Sequence, residues 1–272
     1  MKRNQHNIRF SPEATDSLAQ NQSYFILREN DKDIKLRFHD YAELYKRKGL
    51  YEQLYYDRLK CVSPEKIVGA LSSVLRQSNI EITQLRVLDF GAGNGMVGEL
   101  LYEQGVARVV GVDICEEAFV ATERDRPAVY DAYYVCDITN PDESTKTELD
   151  AWGFDCLTSV AALGFGDIPP AAFTSAFNLI KNGGWIAFNI KETFLQQSDN
   201  SGFSTLVKTM LNSDILEVHH LERYRHRISI NGKSLFYYAI IGKKESDIPK
   251  TIIHQIAVEP VDGANDCAGF VS

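Results

Sequence analysis

Three aspartates each end a short apolar stretch of the chain. Asp89 ends RVLDF, Asp113 ends ARVVGVD and Asp137 ends AYYVCD. Stretches of this length and composition predict buried strands of a parallel sheet. Because the carboxyl ends of parallel strands lie at one edge of the sheet, we expect the three carboxylates to line a single ligand-binding edge. Carboxylates placed there accept hydrogen bonds from hydroxyl, amino or ammonium groups.

A glycine-rich turn, GAGNG at residues 91–95, separates the first of these strands from an amphipathic helix. A dinucleotide-binding turn needs its third glycine at position 96, where this chain has Met96. Asp89 lies two residues before the first glycine, and its negative charge opposes a pyrophosphate. The turn therefore favours a ligand with positive charge and no phosphate. S-adenosylmethionine, which carries an ammonium and a sulfonium, is such a ligand.

This ligand suggests a separate role for each part of the edge. Asp89 would accept from the ammonium, directly or through water, and the glycines would let the backbone approach the methionine part. Asp113 would accept from both ribose hydroxyls. Asp137 would accept from the adenine amino group, with Ile138 against the ring. Since NAD enzymes also place an acid on the ribose, Asp113 alone leaves an NAD(P)-dependent oxidoreductase open.

The motifs resemble those of class I S-adenosylmethionine-dependent methyltransferases. VLDFGAGNG is similar to the first motif of that family, and VVGVD, YVCD and FDCLTSVAAL fall where the family has its next three. The resemblance covers about residues 66–244 and is closest to small-molecule members. It implies cofactor contacts from ten residues: Asp89, Gly91, Ala92, Gly93, Asn94, Asp113, Ile114, Asp137, Ile138 and Val160.

An upstream stretch, HDYAELYKRK, resembles the entry segment of small-molecule members, where an aromatic-Ala-x-x-Tyr pattern precedes an acid. Tyr41 and Tyr45 match this pattern, but Lys46 stands where the acid is expected. The resemblance implies that the two tyrosines lie over the cofactor. Their spacing is equally compatible with core packing of an aromatic helix face.

The elements that must position these residues alternate between strand and helix. Apolar runs predict seven strands, at 86–90, 107–113, 132–137, 155–163, 185–191, 214–225 and 234–244, with helices at 95–105, 116–125, 169–184 and 203–213. The pattern predicts an α/β, Rossmann-like fold: a seven-stranded, mostly parallel sheet with helices on both faces. Asn231–Gly232 predicts a C-terminal antiparallel hairpin.

The segments outside this alternation suggest three parts. Residues 1–62 form an N-terminal extension with lid helices, 63–245 the methyltransferase domain, and 246–272 a C-terminal appendage. Within the extension, residues 1–22 are polar and expected to be loosely ordered, and 23–38 predict a hairpin. Ser63-Pro64-Glu65 is a cap signal for a helix that follows.

The composition of the chain indicates the cellular compartment in which it is expected. The chain has 272 residues and a net charge of −8, with +3 on residues 1–60 and −11 on the rest. Its five cysteines show no CxxC pair and no metal-ligand spacing, so we expect a reducing cytoplasm and no metal site. The basic start leads into no apolar signal segment, and no apolar run approaches the roughly 18 residues of a membrane span. Oligomeric state is left open.

Methyl transfer from a sulfonium needs no obvious catalytic residue. The leaving group is neutral, so positioning supplies much of the rate, and a base is required only when the acceptor must lose a proton. The catalytic residue is therefore unknown. The candidate bases are His39, Glu192, His219, His220 and His226.

The acceptor is expected to be a small or medium organic molecule, methylated at O, N or C. The SVAALGFG region after the fourth strand lacks the [Asn/Asp]-Pro-Pro-aromatic signature of nucleic-acid amino-methylating members, and the low pI of about 5.3 opposes a polyanion. Three alternatives stay open. They are a nucleic-acid or protein methyltransferase, an NAD(P)-dependent oxidoreductase, and a cofactor-binding module without activity.

Overall fold

The computed structural model describes residues 5–10, 22–163, 168–196, 198–199 and 201–257. Its strands are β1 (Asn7–Arg9), β2 (Tyr24–Glu29), β3 (Lys32–Arg37), β4 (Arg86–Phe90), β5 (Arg108–Asp113), β6 (Ala132–Val135), β7 (Cys156–Ser159), β8 (Trp185–Lys191), β9 (Leu216–Ile228) and β10 (Ser234–Lys244). Its helices are α1 (Tyr41–Tyr45), α2 (Leu50–Glu52), α3 (Ser63–Gln77), α4 (Met96–Glu103), α5 (Glu116–Asp125), α6 (Glu143–Trp152), α7 (Pro170–Asn178), α8 (Gly202–Leu211) and α9 (Lys250–Ala257).

The predicted seven-stranded sheet is confirmed, with the order β6-β5-β4-β7-β8-β10-β9. The five strands from β4 to β8 are parallel: β4 pairs with β5 and β7, β5 pairs with β6, and β7 pairs with β8. β10 pairs antiparallel with both β8 and β9. The strands alternate between two cores: Leu88 belongs to the core under α6, α7 and α8, whereas Val87 belongs to the core under α3 and α4. Burial on both faces explains the continuously apolar strand sequences.

Helix α6 was missing from the sequence-based prediction. It is polar, and Leu149 is its one fully buried residue, so it lacks a strong apolar stripe. Its start is nevertheless marked, because the Asp142 side chain accepts from the backbone N–H of Thr145 at 2.9 Å.

Three predicted element ends were wrong by several residues or in their capping. The helix predicted at 169–184 is α7, which ends at Asn178. Helix α3 begins at Ser63 with Val62 as its cap residue, and Ser63 does not cap it. Strand β7 ends at Ser159 and not at 163, because Ala161 has a positive φ of 56° that breaks the strand. Residues 164–167 of the SVAALGFG region lie outside the described residues.

The N-terminal segment forms a small unit with its own core. The hairpin of β2 and β3 is confirmed, and β1, which the sequence did not predict, adds a third strand beside β2. Apolar side chains of the sheet pack on α2 and on a π-helical turn at Gln53–Arg58. The unit is joined to the main sheet where the Ile228 N–H donates to the Leu59 carbonyl at 2.8 Å.

The C-terminal segment packs on the domain as far as it is described. Ile248 is fully buried, and its backbone bonds in both directions with the Asn178 side chain, at 2.9 and 3.1 Å. Residues 258–272 of the predicted appendage lie outside the described residues. Within the described ranges, no helix has the length and apolar character needed to cross a membrane.

Candidate active site

The glycine turn between β4 and α4 has a shape that side chains oppose. Gly91, Gly93 and Gly95 have φ values of 70°, 55° and 83°. A Cβ on Gly91 would lie 2.7 Å from the Ala162 Cβ, which real Cβ atoms do not tolerate. The turn is anchored to the next strand, because the N–H groups of Gly91 and Ala92 donate to the Val112 carbonyl. Glycine is therefore required by conformation and by close approach.

Asp113 lies at the predicted edge and holds the turn. Its carboxylate accepts from the backbone N–H of Gly93 at 2.8 Å and of Cys115 at 2.9 Å. Burial raises the pKa of Asp113, and the backbone donors oppose that rise. A carboxylate fixed in this way retains further lone pairs, which two ribose hydroxyls can occupy.

Asp89 is enclosed more completely than its predicted role requires. It is 1% exposed, and its two oxygens accept from the Tyr130 hydroxyl at 2.7 Å and from Thr158 Oγ1 at 2.8 Å. Burial raises the pKa of Asp89 to about 6. Both oxygens are thus engaged beneath the turn, which differs from the expected direct contact with an ammonium. A role through water, or through charge alone, stays a prediction.

Asn94 ties the turn to the N-terminal unit. Its side-chain amide donates to Glu52 Oε1 at 2.9 Å, and Arg126 donates to the same oxygen at 2.9 Å and to the Asn94 carbonyl at 3.1 Å. Glu52 and Asn94 are 6% and 3% exposed. One amide N–H of the Asn94 side chain and the Asn94 carbonyl are therefore already engaged, so its expected cofactor contact stays a prediction.

The remaining predicted contacts differ in exposure. Ile114, directly after Asp113, is 70% exposed, which leaves an apolar surface available at the edge. Ile138 and Val160 are buried at 6% and 8%. Asp137 is exposed, and its carboxylate accepts from the backbone and hydroxyl of Thr139 at 2.9 and 2.7 Å. These four residues follow the carboxyl ends of β5, β6 and β7, as predicted.

Tyr41 and Tyr45 take part in core packing, and their predicted position over the cofactor stays a prediction. Tyr45 is buried against Ala118 and Ala121 of α5, which is core packing. Its hydroxyl nevertheless reaches the glycine turn, 2.7 Å from where a Cβ on Gly93 would lie. The rings of Tyr41 and Tyr45 stack with centroids 6.2 Å apart. The N-terminal unit therefore lies directly over the turn.

A second polar cluster lies further along the same edge. Asn189 of β8 is fully buried; its Oδ1 accepts from the Ala161 N–H at 2.7 Å, and its Nδ2 donates to Tyr224 at 2.7 Å and Ser63 at 3.1 Å. Ser63 Oγ is also hydrogen bonded with His226 Nδ1 at 2.6 Å. Asn189 is thus a positioning residue that holds the strained turn after β7. A polar residue inside the apolar run WIAFNIK was the signal for it.

A comparison with protein families decides the class of this molecule. The model of a family described as a methyltransferase domain matches residues 58–235, well over half of the chain. The chain belongs to this methyltransferase family. The resemblance to class I S-adenosylmethionine-dependent methyltransferases is thereby confirmed, and the NAD(P)-dependent oxidoreductase and the inactive module are set aside.

One solved structure supports the fold of this methyltransferase, and others are similar to it. Magnesium protoporphyrin IX methyltransferase from Synechocystis PCC 6803, with bound S-adenosylhomocysteine, aligns at 12% identity and a TM-score of 0.51, over 72% of this chain and 92% of that one. A protein of Thermoplasma acidophilum aligns at 16% identity and 0.48, over 66% and 85%. A putative RNA methyltransferase from Pyrococcus horikoshii aligns at 13% and 0.48, over 67% and 81%. A comparison with curated proteins finds no significant match.

The edge of this methyltransferase fits the cofactor of its family, S-adenosylmethionine. The glycine turn is a cradle that a Cβ would fill, Asp113 is an acceptor for hydroxyls, and Ile114 offers an uncovered apolar surface. The cofactor supplies a methyl group on a sulfonium. The chain supplies the cradle, the acceptors and the fixed turn after β7.

The candidate bases lie at different places relative to the cofactor edge. His219 is ruled out, because its ring packs 4.9 Å from Trp185, which begins β8 at the opposite edge of the sheet. His220 and Glu192 are bonded to Glu222 and Arg223 at 3.2 and 2.7 Å. His39 lies beside Tyr41, with 3.4 Å between the two polar atoms.

His226 is the candidate base that belongs to the buried polar cluster with Ser63 and Asn189. Burial, and next the charge of Arg227, lower the pKa of His226 well below its usual range, so the ring is neutral at neutral pH. With Ser63 on Nδ1, it has the protonation state that a base needs. No residue among the five candidates is assigned a catalytic role from these contacts.

Proposed function

We propose that the chain transfers the methyl group of S-adenosylmethionine to a small or medium-sized organic acceptor. The observation that carries this proposal is the covering of the glycine turn, one end of the cofactor edge, by the N-terminal unit. The Tyr45 hydroxyl lies on the glycine turn, and the buried Glu52–Arg126 pair contacts Asn94. A turn covered in this way suits an acceptor that enters whole better than a segment of a polymer.

In this proposal residues 1–62 act as a lid on the domain formed by 63–245. Its underside is aromatic: the rings of Tyr45 and Tyr51 are 5.0 Å apart, and those of Tyr51 and Tyr55 are 4.8 Å apart. Asp113 binds the ribose, Ile114 and Ile138 flank the adenine, and Asp137 accepts from its amino group. The glycines and Ala92 face the methionine part.

The charges of the N-terminal unit speak against the nucleic-acid alternative. The excess of basic residues in this unit is the one feature that favours a phosphate-binding face, but six of its ten described lysines and arginines are paired with carboxylates. The paired residues are Arg9, Arg28, Arg37, Lys46, Arg47 and Lys48. Paired cations release few counterions when they meet a phosphate backbone, so they contribute little to such binding.

Partition of a methyl label tests the acceptor class. The purified protein is incubated with S-adenosylmethionine carrying a labelled methyl group and with a cell extract separated into small molecules, RNA and protein. We expect label in the small-molecule fraction, and none with Asp113→Ala. Label in the RNA or protein fraction would overturn the small-acceptor proposal while leaving the methyltransferase assignment intact.

A further inference from the structure

A buried arginine lies at the acceptor end of the sheet without a counter-ion. Arg227 of β9 is 7% exposed, and its guanidinium donates to the Ile228 carbonyl at 3.1 Å. Within the part of the chain that the structure describes, no carboxylate lies within 4.0 Å of it. A buried charge without a partner is strongly destabilising, so this position calls for an anion from outside the chain.

A second cation lies near Arg227. Lys191 ends β8 and is opposite Tyr237 of β10, while Arg227 is opposite Leu235, two residues along the same strand. The register therefore puts Lys191 and Arg227 on one face of the sheet. Burial, and next the charge of Arg227, lower the pKa of Lys191; Glu192 and Asp199 oppose that change.

The position of Arg227 separates it from the cofactor. Four strand spacings, about 19 Å, lie between β4, which carries the glycine turn, and β9. This span exceeds the reach of the methionine carboxylate from the turn. The neighbours of Arg227 are aromatic: the Tyr55 ring lies 5.9 Å from the guanidinium carbon, and the adjacent His226 and Tyr237 rings are 4.1 Å apart.

We propose that Arg227, with Lys191 beside it, binds a carboxylate of the methyl acceptor, and that the acceptor is an aromatic carboxylic acid. The inference rests on the proposed function and names its substrate class. A guanidinium presents a planar pair of donors that matches a carboxylate, and the surrounding rings suit a flat apolar body. The carboxylate would orient the acceptor toward the turn after β7.

Benzoate and benzamide are the matched probes, since they differ in charge and share their shape. Thermal unfolding is followed with the protein saturated with S-adenosylhomocysteine. Benzoate at ten times its Kd is expected to raise Tm by about 3 °C, with a smaller effect from benzamide. Arg227→Gln should abolish the difference between the Tm shifts with benzoate and benzamide, and Arg227→Lys should keep part of that difference. Arg225→Gln, an exposed arginine on the same strand, should leave it intact.

Three outcomes would overturn the inference. The first is an equal Tm shift from benzoate and benzamide in the wild type, a result that does not depend on any variant folding. The second is a benzoate shift that survives Arg227→Gln, and the third is weaker binding of S-adenosylhomocysteine by Arg227→Gln, which would show that the arginine holds the cofactor. Failure of the proposed function would be seen in a different experiment, since the methyl label would then appear in the RNA or protein fraction.

Discussion

The hydroxyl of Tyr45 lies 2.7 Å from the position that a Cβ on Gly93 would occupy. The two residues are 48 positions apart, and their approach brings the N-terminal unit onto the glycine turn of the methyltransferase domain. Substitutions at Tyr45 and Gly93 are therefore expected to have coupled effects on the free energy of unfolding.

Gly93→Ala should lower the free energy of unfolding by about 3 kcal/mol. Part of the loss comes from the positive φ of 55°, worth about 1 kcal/mol, and the rest from the contact with the Tyr45 hydroxyl. In a Tyr45→Phe background the hydroxyl is absent and the next atom of the ring is 3.6 Å away, so only the backbone part should remain. Urea unfolding of the four proteins measures the coupling, and additive losses would contradict the contact.

Asp113→Ala should raise the Kd for S-adenosylhomocysteine about 100-fold. In the proposed binding mode, the change would remove two charge-assisted bonds to the ribose, and it releases the N–H groups of Gly93 and Cys115. Calorimetry measures the affinity. Asp137→Ala is the matched control: its carboxylate is exposed and bonded to Thr139, so we expect a loss of tenfold or less. Equal losses, or stabilisation of the wild type by NADH, would count against the assignment.

Asp89→Asn should make the protein more stable than the wild type at pH 8. Burial raises the pKa of Asp89 to about 6, so the folded state disfavours its ionised form. The group therefore contributes stability at low pH that is lost as pH rises from about 4 through 6. The gain at pH 8 should be at most about 3 kcal/mol, the equivalent of two pKa units.

The same substitution tests the link between Asp89 and the cofactor's ammonium. If the ionised carboxylate attracts that charge, the affinity of the wild type for S-adenosylmethionine should rise between pH 5 and 7, and that of Asp89→Asn should not. Parallel pH profiles for the two proteins would remove Asp89 from the set of cofactor contacts. Unfolding curves at each pH provide the stability reference.

Asn189→Ala should destabilise the protein by about 2–4 kcal/mol. It leaves the Ala161 N–H, Tyr224 and Ser63 with fewer partners in a fully buried place. Asn178→Ala, at the half-buried contact with Ile248, is the control and should cost about 1 kcal/mol. Affinity for S-adenosylhomocysteine should also fall with Asn189→Ala, because the network holds the turn after β7, and Ala162 of that turn packs on Gly91 of the glycine turn. Unchanged stability would show that the network is dispensable.

The sequence predicted the parts of the site that are local. Strand, turn and helix follow one another within a few residues, so periodicity and glycine placement located the turn and put Asp113 at the correct edge. The hairpin of β2 and β3 was found in the same way. The family match then supported the cofactor that the motif had suggested.

The remainder depends on contacts between distant positions. Asp89 is engaged by Tyr130 and Thr158, 41 and 69 residues away, so a local motif could not show that its oxygens are occupied. Ser63 was read as a helix cap, but its hydroxyl bonds with residues more than 120 positions away. The charge of Arg227 was uninformative in a strand rich in arginine until its burial was known.

The order of the central sheet also affects how the chain is made. Of the described strands, β10 is the last to leave the ribosome, yet it lies between β8 and β9 in the finished sheet. At roughly 5–20 residues per second, a nascent chain carries the open edge of β8 for several seconds before residues 234–244 emerge. Such an edge is a template for wrong pairing, so a chain that terminates before β10 is expected to aggregate and not to persist as a shorter enzyme.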